Sequence, residues 1–133
     1  MRLLLDTHVW IWSQESPESL GDAAREMLAE KDTEVFISPV SSLEVARLEW
    51  AGRLSMAGRT QTWVENAMQA LLAKTAALTH EICVESYELP GEFHRDPVDR
   101  MLVATARVLD LTFLTADERI LSYPHALTLN ARQ

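Results

Sequence analysis

Acidic residues recur where an apolar, strand-like run gives way to a helix-like one. Asp6 follows the leucines of "RLLLD", and Glu44 lies in "SSLE", shortly after the apolar run "EVFIS". Asp96 and Asp99 open the run "DPVDRMLVATARVLD", and Asp117 follows "LTFLT". A carboxylate at the end of a buried strand costs stability unless it is hydrated or has a partner. These acids are therefore the first candidates for chemistry.

Each of these acids also has a purely structural interpretation. The segments "SSLE" and "TADE" both fit the capping box, with Ser41 or Thr115 as N-cap and Glu44 or Glu118 reaching back to it. Taken singly, each pattern favours a helix cap over a catalytic group.

The segment "DPVD" has the same ambiguity. Asp96 before Pro97 is typical of an N-cap followed by proline at the first helical position. Asp99, at the third helical position, would complement the positive end of the helix dipole. For Asp96 the cap is the favoured interpretation, and a ligand role stays open.

The elements that must position these acids alternate along the chain. Short apolar runs predict strands at 3–5, 34–38, 111–115 and 126–130, with a less regular one at 76–82. Helical spacing predicts helices from Thr7 through the first tryptophans and over 16–31, 41–54, 60–74, 96–110 and 116–123. This alternation is typical of a parallel sheet covered by helices on both faces. We expect one α/β domain over residues 1–133.

The predicted sheet brings the acids together. All strands of a parallel sheet end at the same edge, and ligand sites of open α/β sheets lie at that edge. Gathered carboxylates repel one another, and capping alone gives no reason to collect them. A hard divalent cation does, and Mg²⁺ or Mn²⁺ suits carboxylates with an open coordination position. The chemistry that this favours is metal-assisted hydrolysis of a phosphodiester.

Composition limits the function classes. The chain has 12 Lys and Arg against 20 Asp and Glu, a formal net charge of −8, which argues against a wide basic surface for duplex binding. It permits a cation site, a basic partner, or a nucleic acid held through a local basic patch. The single cysteine, Cys83, excludes an intramolecular disulfide, and its apolar neighbours predict a packed core thiol. Asp6 and His8 interrupt the first apolar run, so we expect no membrane span and a cytoplasmic protein.

Four segments together resemble a known family. "LLLDTHVWIW", "SSLEVARL", "RDPVDRMLVATA" and "FLTADERI" are similar, in the same order and over essentially the whole chain, to bacterial PIN-domain ribonucleases. The likeness is greatest to the VapC toxins of type II toxin–antitoxin pairs. It implies a PIN-like three-layer α/β fold with a central parallel sheet flanked by helices, and a metal-dependent endoribonuclease that uses Mg²⁺ or Mn²⁺.

The resemblance also implies site residues and partners. Asp6 and Asp99 would be direct metal ligands, and Glu44 and Asp117 would bind the metal through water or position the attacking water. The partners would be an RNA substrate, a cognate antitoxin protein that presents a basic residue to the acids, and a second copy in a homodimer. A secondary group of residues would orient these acids or cap helices: Asp96, Thr7 and Thr115.

Other polar and aromatic residues are weaker candidates. His94 and Arg95 precede the acidic motif and are candidates for contacts with RNA phosphates, whereas Arg100 is expected to pair with a neighbouring acid. Each tryptophan is a candidate for a groove or a dimer face, but core packing is favoured for all of them. No arginine–aromatic surface for stacking single-stranded RNA stands out.

Two other classes remain as alternatives. A haloacid-dehalogenase-type phosphatase would have aspartate where His8 stands, and a receiver domain would have a lysine later than Lys74, so both phosphotransfer folds fit poorly. The second class is a catalytically inactive acidic module that recognises a basic protein partner. Dependence of activity on a metal ion separates that module from a nuclease.

Overall fold

The computed structural model describes residues 1–133, and its centre is a sheet of five parallel strands. The strands are β1 (Arg2–Leu5), β2 (Glu34–Ile37), β3 (Lys74–Thr75), β4 (Thr112–Thr115) and β5 (Thr128–Asn130). Their order across the sheet is β3-β2-β1-β4-β5, so β1 and β4 are adjacent although they lie far apart in the chain. The α/β prediction with a central parallel sheet is confirmed.

Seven helices connect the strands. They are α1 (Thr7–Glu15), α2 (Asp22–Ala29), α3 (Pro39–Trp50), α4 (Thr60–Ala70), α5 (His80–Glu85), α6 (Pro97–Leu109) and α7 (Glu118–Leu121), with a short 3-10 helix at Pro17–Ser19. None of the helices has the length and apolar character needed to cross a membrane.

The leucines of β1 show why both faces of the sheet are covered. Leu3 and Leu5 point into one core cluster, and Leu4 points into a second cluster on the opposite face. All three side chains are fully buried. Because side chains alternate along a strand, a run that is apolar at every position requires a helix layer on each side. This arrangement gives three layers, as predicted.

The strand register brings the ends of β1 and β4 together. Leu5 of β1 pairs with Leu114 of β4, so the residues that follow, Asp6 and Thr115, meet at the carboxyl edge. The backbone N–H of Asp6 donates to the carbonyl of Leu114 at 3.0 Å, which extends the pairing into the junction. This edge carries the acids.

Three predicted elements differ clearly from the structure. The helix predicted over 60–74 ends at Ala70, and Lys74 belongs to β3. The helix predicted over 16–31 is interrupted before Asp22, because Gly21 is extended and its Cα lies against the backbone of Arg132 and Gln133. The strand predicted over 76–82 is wrong as placed. Backbone pairing with β2 involves Lys74 and Thr75, and Thr79 then caps α5 by accepting from the N–H of Ile82 at 3.2 Å.

Helix caps also differ from two of the predictions. Ser38 caps α3, with Pro39 at its first position, so Ser41 is a buried residue inside the helix. Asp117 rather than Thr115 caps α7. Asp96 caps α6 as predicted, because its carboxylate accepts from the N–H of Asp99 at 3.0 Å.

Some side chains also lie differently from expectation. Cys83 is exposed on α5, so the prediction of a packed core thiol is wrong. Arg100 pairs with no acid, and its guanidinium donates instead to the carbonyls of Ser86, Phe93 and His94 at 2.8 to 2.9 Å.

The tryptophans do not share one environment. Trp10 is fully buried and packs edge to face against Trp63, with ring centroids 5.0 Å apart. Trp50 is 86% exposed, so core packing does not apply to it. Trp12 is partly buried and lines the pocket described below.

Candidate active site

An open pocket of about 340 Å³ lies at the carboxyl edge of the sheet, and most of its lining is charged. It is lined by five carboxylates from four separate parts of the chain: Asp6, Glu44, Asp96 together with Asp99, and Asp117. The four primary residues predicted from the sequence therefore line one pocket, together with the secondary candidate Asp96.

Asp6 sits at the junction of β1 and α1 and is tied on both carboxylate oxygens. Its Oδ1 accepts from the N–H of Thr7 at 2.8 Å, and its Oδ2 accepts from the hydroxyl of Thr115 at 2.7 Å. The same Thr115 hydroxyl accepts from the N–H of Asp117 at 3.0 Å. The fully buried Thr115 thus links Asp6 to the backbone that carries Asp117.

Thr7 acts on Asp6 through its backbone N–H, and its hydroxyl has a different partner. That hydroxyl donates to the hydroxyl of Ser41 at 3.0 Å, and both side chains are fully buried. The contact fixes α1 against α3, the helix that carries Glu44. Glu44 itself is mostly buried, with a side chain 13% exposed, and Arg47 lies 3.6 Å from its carboxylate.

Asp99, in the first turn of α6, is held by a histidine. The Nε2 atom of His94 lies 2.6 Å from Oδ2 of Asp99, with the ring N–H donating to the carboxylate. Phe93 stacks on the imidazole with ring centroids 4.4 Å apart. Arg100 donates to the carbonyls of Phe93 and His94 and so fixes the segment that carries His94. The arginine of the "DPVDR" motif therefore helps to orient Asp99 of the same motif through His94.

Asp117 is paired with an arginine that lies in the pocket. The Nη2 of Arg119 is 2.9 Å from Oδ2 of Asp117, and its Nε is 3.3 Å from Oδ1, which makes the pair bidentate. The same Nη2 is 3.8 Å from Oδ2 of Asp99. A guanidinium therefore lies close to two of the acids and partly neutralises them.

Burial and neighbouring charged groups shift the pKa values of three aspartates of the pocket in different directions. Burial and, to a smaller extent, the charge of Asp99 raise the pKa of Asp6 to about 6, against the hydrogen bonds from Thr115 and Thr7. Burial also raises the pKa of Asp99, with the hydrogen bond from His94 opposing the shift and the charge of Asp96 adding to it. The hydrogen bond from Arg119 lowers the pKa of Asp117. Asp6 and Asp99 therefore resist ionisation, whereas Asp117 ionises readily. Positive charge added among these three carboxylates is favourable.

The donor atoms fit a divalent cation. One ligand atom each from His94, Asp99 and Asp117 lie within 4.8 Å of one another. Asp6 and Glu44 are outside this trio but line the same pocket. A set dominated by carboxylate oxygens, in an open pocket with room for water, is the chemistry that Mg²⁺ and Mn²⁺ prefer.

Sequence reasoning missed three features of this pocket. Arg119 was not a candidate, although its position two residues after Asp117 places it beside that acid in the first turn of α7. His94 was a candidate for phosphate contact, whereas the structure pairs it with Asp99. Arg132 and Trp12 meet at the pocket wall, and no local pattern relates them because they lie at opposite ends of the chain.

Comparison with known proteins gives a consistent result. The family model described as "PIN domain" matches residues 3–126. The chain is 29% identical to Ribonuclease VapC22 of Mycobacterium tuberculosis over 123 residues, which cover 92% of each sequence.

Solved structures of similar fold come from toxin–antitoxin complexes. VapBC2 from Rickettsia felis, bound to a DNA fragment from its promoter, superposes with a TM-score of 0.73 at 14% identity, over 98% of each chain. DNA-bound VapBC from Salmonella typhimurium superposes with a TM-score of 0.72 at 17% identity, also over 98% of each chain. The family match over nearly all residues and the shared fold lead to one conclusion: this chain belongs to the PIN-domain family.

Proposed function

We propose that this protein is a metal-dependent endoribonuclease and the toxin of a VapC-type toxin–antitoxin pair. The observation that carries the proposal is the single pocket in which Asp6, Glu44, Asp99 and Asp117 converge from four separate segments. The similarity to a protein named as a ribonuclease supports RNA as the substrate. Residues 1–133 would act as one domain, in the cytoplasm where the RNA is.

The metal ion would be Mg²⁺ or Mn²⁺, held by Asp6 and Asp99. When bound, it supplies Lewis-acid stabilisation of charge on the phosphate and makes water more acidic. Glu44 and Asp117 would orient the attacking water through their carboxylate oxygens. His94 would serve as an additional ligand or as the group that orients Asp99.

Hydrogen bonds around the acids favour their ionised forms. The hydroxyl of Thr115 and the N–H of Thr7 donate to the two oxygens of Asp6, and this opposes the effect of burial on that carboxylate. Arg119 keeps Asp117 ionised and fixes its orientation through two hydrogen bonds. Carboxylates held in place before substrate arrives reduce the reorganisation that the reaction requires.

The proposed partners follow from the relatives and from charge. Solved structures of similar fold are complexes of a toxin with its antitoxin, which supports a cognate antitoxin for this chain. The net charge of −8 suits a partner that brings a basic residue to the acidic pocket. We extend the proposal to a homodimer of this chain.

The test is cleavage of an RNA pool by purified protein with Mg²⁺ or Mn²⁺, and with chelator. The Asp99→Asn variant is the inactive form, and Asp32→Asn, which changes an exposed carboxylate in a turn, is its matched control. We expect metal-dependent cuts from the wild type and from Asp32→Asn, and none from Asp99→Asn. Cleavage that survives chelator, or that Asp99→Asn retains in full, would contradict the proposal. Binding to a basic antitoxin without any cleavage would favour the inactive module.

A further inference from the structure

The wall of the pocket beside the acids carries an arginine stacked on a tryptophan. The guanidinium carbon of Arg132 lies 4.6 Å from the ring centroid of Trp12, and both residues line the same pocket as Asp6 and Asp99. The ring of His8 is tilted relative to that of Trp12, with centroids 6.2 Å apart. Neither residue of the pair has a role in holding the acids described above.

The sheet register places Arg132 at this wall. Asn130 of β5 pairs with Thr115 of β4, so the chain leaves β5 level with the residues that carry the acids. The N–H of Ala131 donates to the carbonyl of Thr115 at 2.8 Å, and the N–H of Arg132 donates to Oδ1 of Asn130 at 2.9 Å. The backbone of Arg132 is therefore anchored, while its side chain is exposed.

Trp12 is the fixed member of the pair. It lies on α1, which begins directly after Asp6, and it packs against the core cluster on that face of the sheet. An indole that is held from behind and open toward a pocket presents a rigid flat surface. Nucleic-acid bases stack on such surfaces whatever their sequence, because every base has a π-face.

The two arginines of the pocket differ in their partners. Arg119 is committed to Asp117 through a bidentate pair. Arg132 forms no ion pair, and the indole is its neighbour instead. In a pocket lined by five carboxylates, a nucleotide phosphate that does not contact the proposed metal ion is repelled unless a cation free of the acids receives it.

We propose that Trp12 and Arg132 form a nucleotide subsite of this pocket, in which one base of single-stranded RNA stacks on the indole and the guanidinium binds its phosphate. The base takes the ring face that the guanidinium now covers, and Arg132 turns to the phosphate. This subsite rests on the proposed ribonuclease function, because it needs RNA as the ligand of the pocket.

The test measures binding of a short fluorescein-labelled single-stranded RNA by anisotropy, over a series of salt concentrations with Mg²⁺ present. The protein carries Asp6→Asn throughout so that the RNA stays intact. Trp12→Leu should weaken binding about tenfold at every salt concentration, and Trp12→Phe should restore most of it, because the lost contact is stacking. Arg132→Gln should reduce the slope of log K against log salt by about 0.7, the value for one phosphate contact on a single strand.

Matched controls are Trp50→Leu and Arg53→Gln, which change an exposed tryptophan and an exposed arginine outside the pocket. Both should bind RNA as the parent does. Urea unfolding of each variant checks that Trp12→Leu remains folded, and Trp12→Phe tests stacking independently of that variant. Unchanged affinity in Trp12→Leu, or an unchanged salt slope in Arg132→Gln, would overturn the subsite.

Failure of the subsite and failure of the proposed function give different results. Metal-dependent cleavage by the wild type, with RNA binding indifferent to Trp12→Leu and Arg132→Gln, would leave the nuclease and remove the subsite. Binding that depends on both residues, with no cleavage by the wild type under any metal condition, would keep the subsite and remove the nuclease.

Discussion

Asp6 carries a negative charge at neutral pH in a place that disfavours it. Its pKa of about 6 lies well above the ordinary 3.8, with burial as the main cause and Asp99 adding to the shift. A carboxyl whose pKa is raised by folding stabilises the folded state only while it is protonated. That contribution is complete below about pH 4 and is lost as the pH rises through about 6.

The size of the effect follows from the shift. From 3.8 to about 6, at about 1.4 kcal/mol per pKa unit, the ionised Asp6 costs the metal-free protein about 3 kcal/mol. Of this, about 2 kcal/mol develops between pH 4.5 and 7.5. Asn at this position keeps the shape, carries no charge and still accepts from the N–H of Thr7, but its amide nitrogen cannot accept from the hydroxyl of Thr115. That lost hydrogen bond reduces the gain by the same amount at every pH.

We therefore expect Asp6→Asn to stabilise the metal-free protein at pH 7.5 and to gain much less at pH 4.5. The assay is urea unfolding with chelator at both pH values, followed by circular dichroism, with Asp32→Asn as the control for loss of an exposed charge. The pH-dependent part of the gain should be about 2 kcal/mol. An effect on stability that is equal at the two pH values, or one that is more favourable at pH 4.5, would refute the reasoning from burial and repulsion.

Three further predictions test other contacts of the site and the fold. Thr115→Val removes the hydroxyl that joins Asp6 to the amide of Asp117. RNA cleavage should fall, and the free energy of unfolding in urea should drop by about 1–3 kcal/mol. Full activity would contradict this role of Thr115. Arg119→Gln removes a competing cation, so calorimetric titration should show Mn²⁺ binding about two- to fivefold tighter, and weaker binding would count against competition. Gly21→Ala places a methyl group against the backbone of Gln133 and should lower the free energy of unfolding in urea by about 1–3 kcal/mol. An unchanged midpoint would show that the backbone at this contact shifts without cost.

The sequence was sufficient for the parts of the molecule that depend on local pattern. The fully apolar run at Leu3–Leu5 predicts a strand covered on both faces, and the structure buries all three leucines. The acids that follow strand ends share an edge because parallel strands leave no other arrangement. The "DP" of "DPVD" predicts the cap of α6, and Asp96 makes that hydrogen bond.

The features that sequence reasoning missed depend on choices between near-equivalent partners or on long-range contacts. Ser38 and Ser41 are both good caps, and Pro39, which suits the first helical turn, decides for Ser38. The edge strand β3 consists of only Lys74 and Thr75, which is too short for a period-two pattern to appear. Cys83 has apolar neighbours in sequence, but the adjacent Ile82 is the residue that α5 turns inward.

The hydrogen bond between Thr115 and Asp6 joins residues 109 positions apart in the chain, and this sequence separation has a consequence for protein synthesis. A chain that grows on the ribosome presents Asp6 and Glu44 early, but β1 lacks one of its two neighbouring strands until β4 has been made. Until then Asp6 lacks its hydrogen bond from Thr115, and Asp117 has not yet been made. The growing polypeptide therefore has no complete acidic pocket until nearly all of it has been translated, and the proposed nuclease activity cannot appear on the nascent chain before that point.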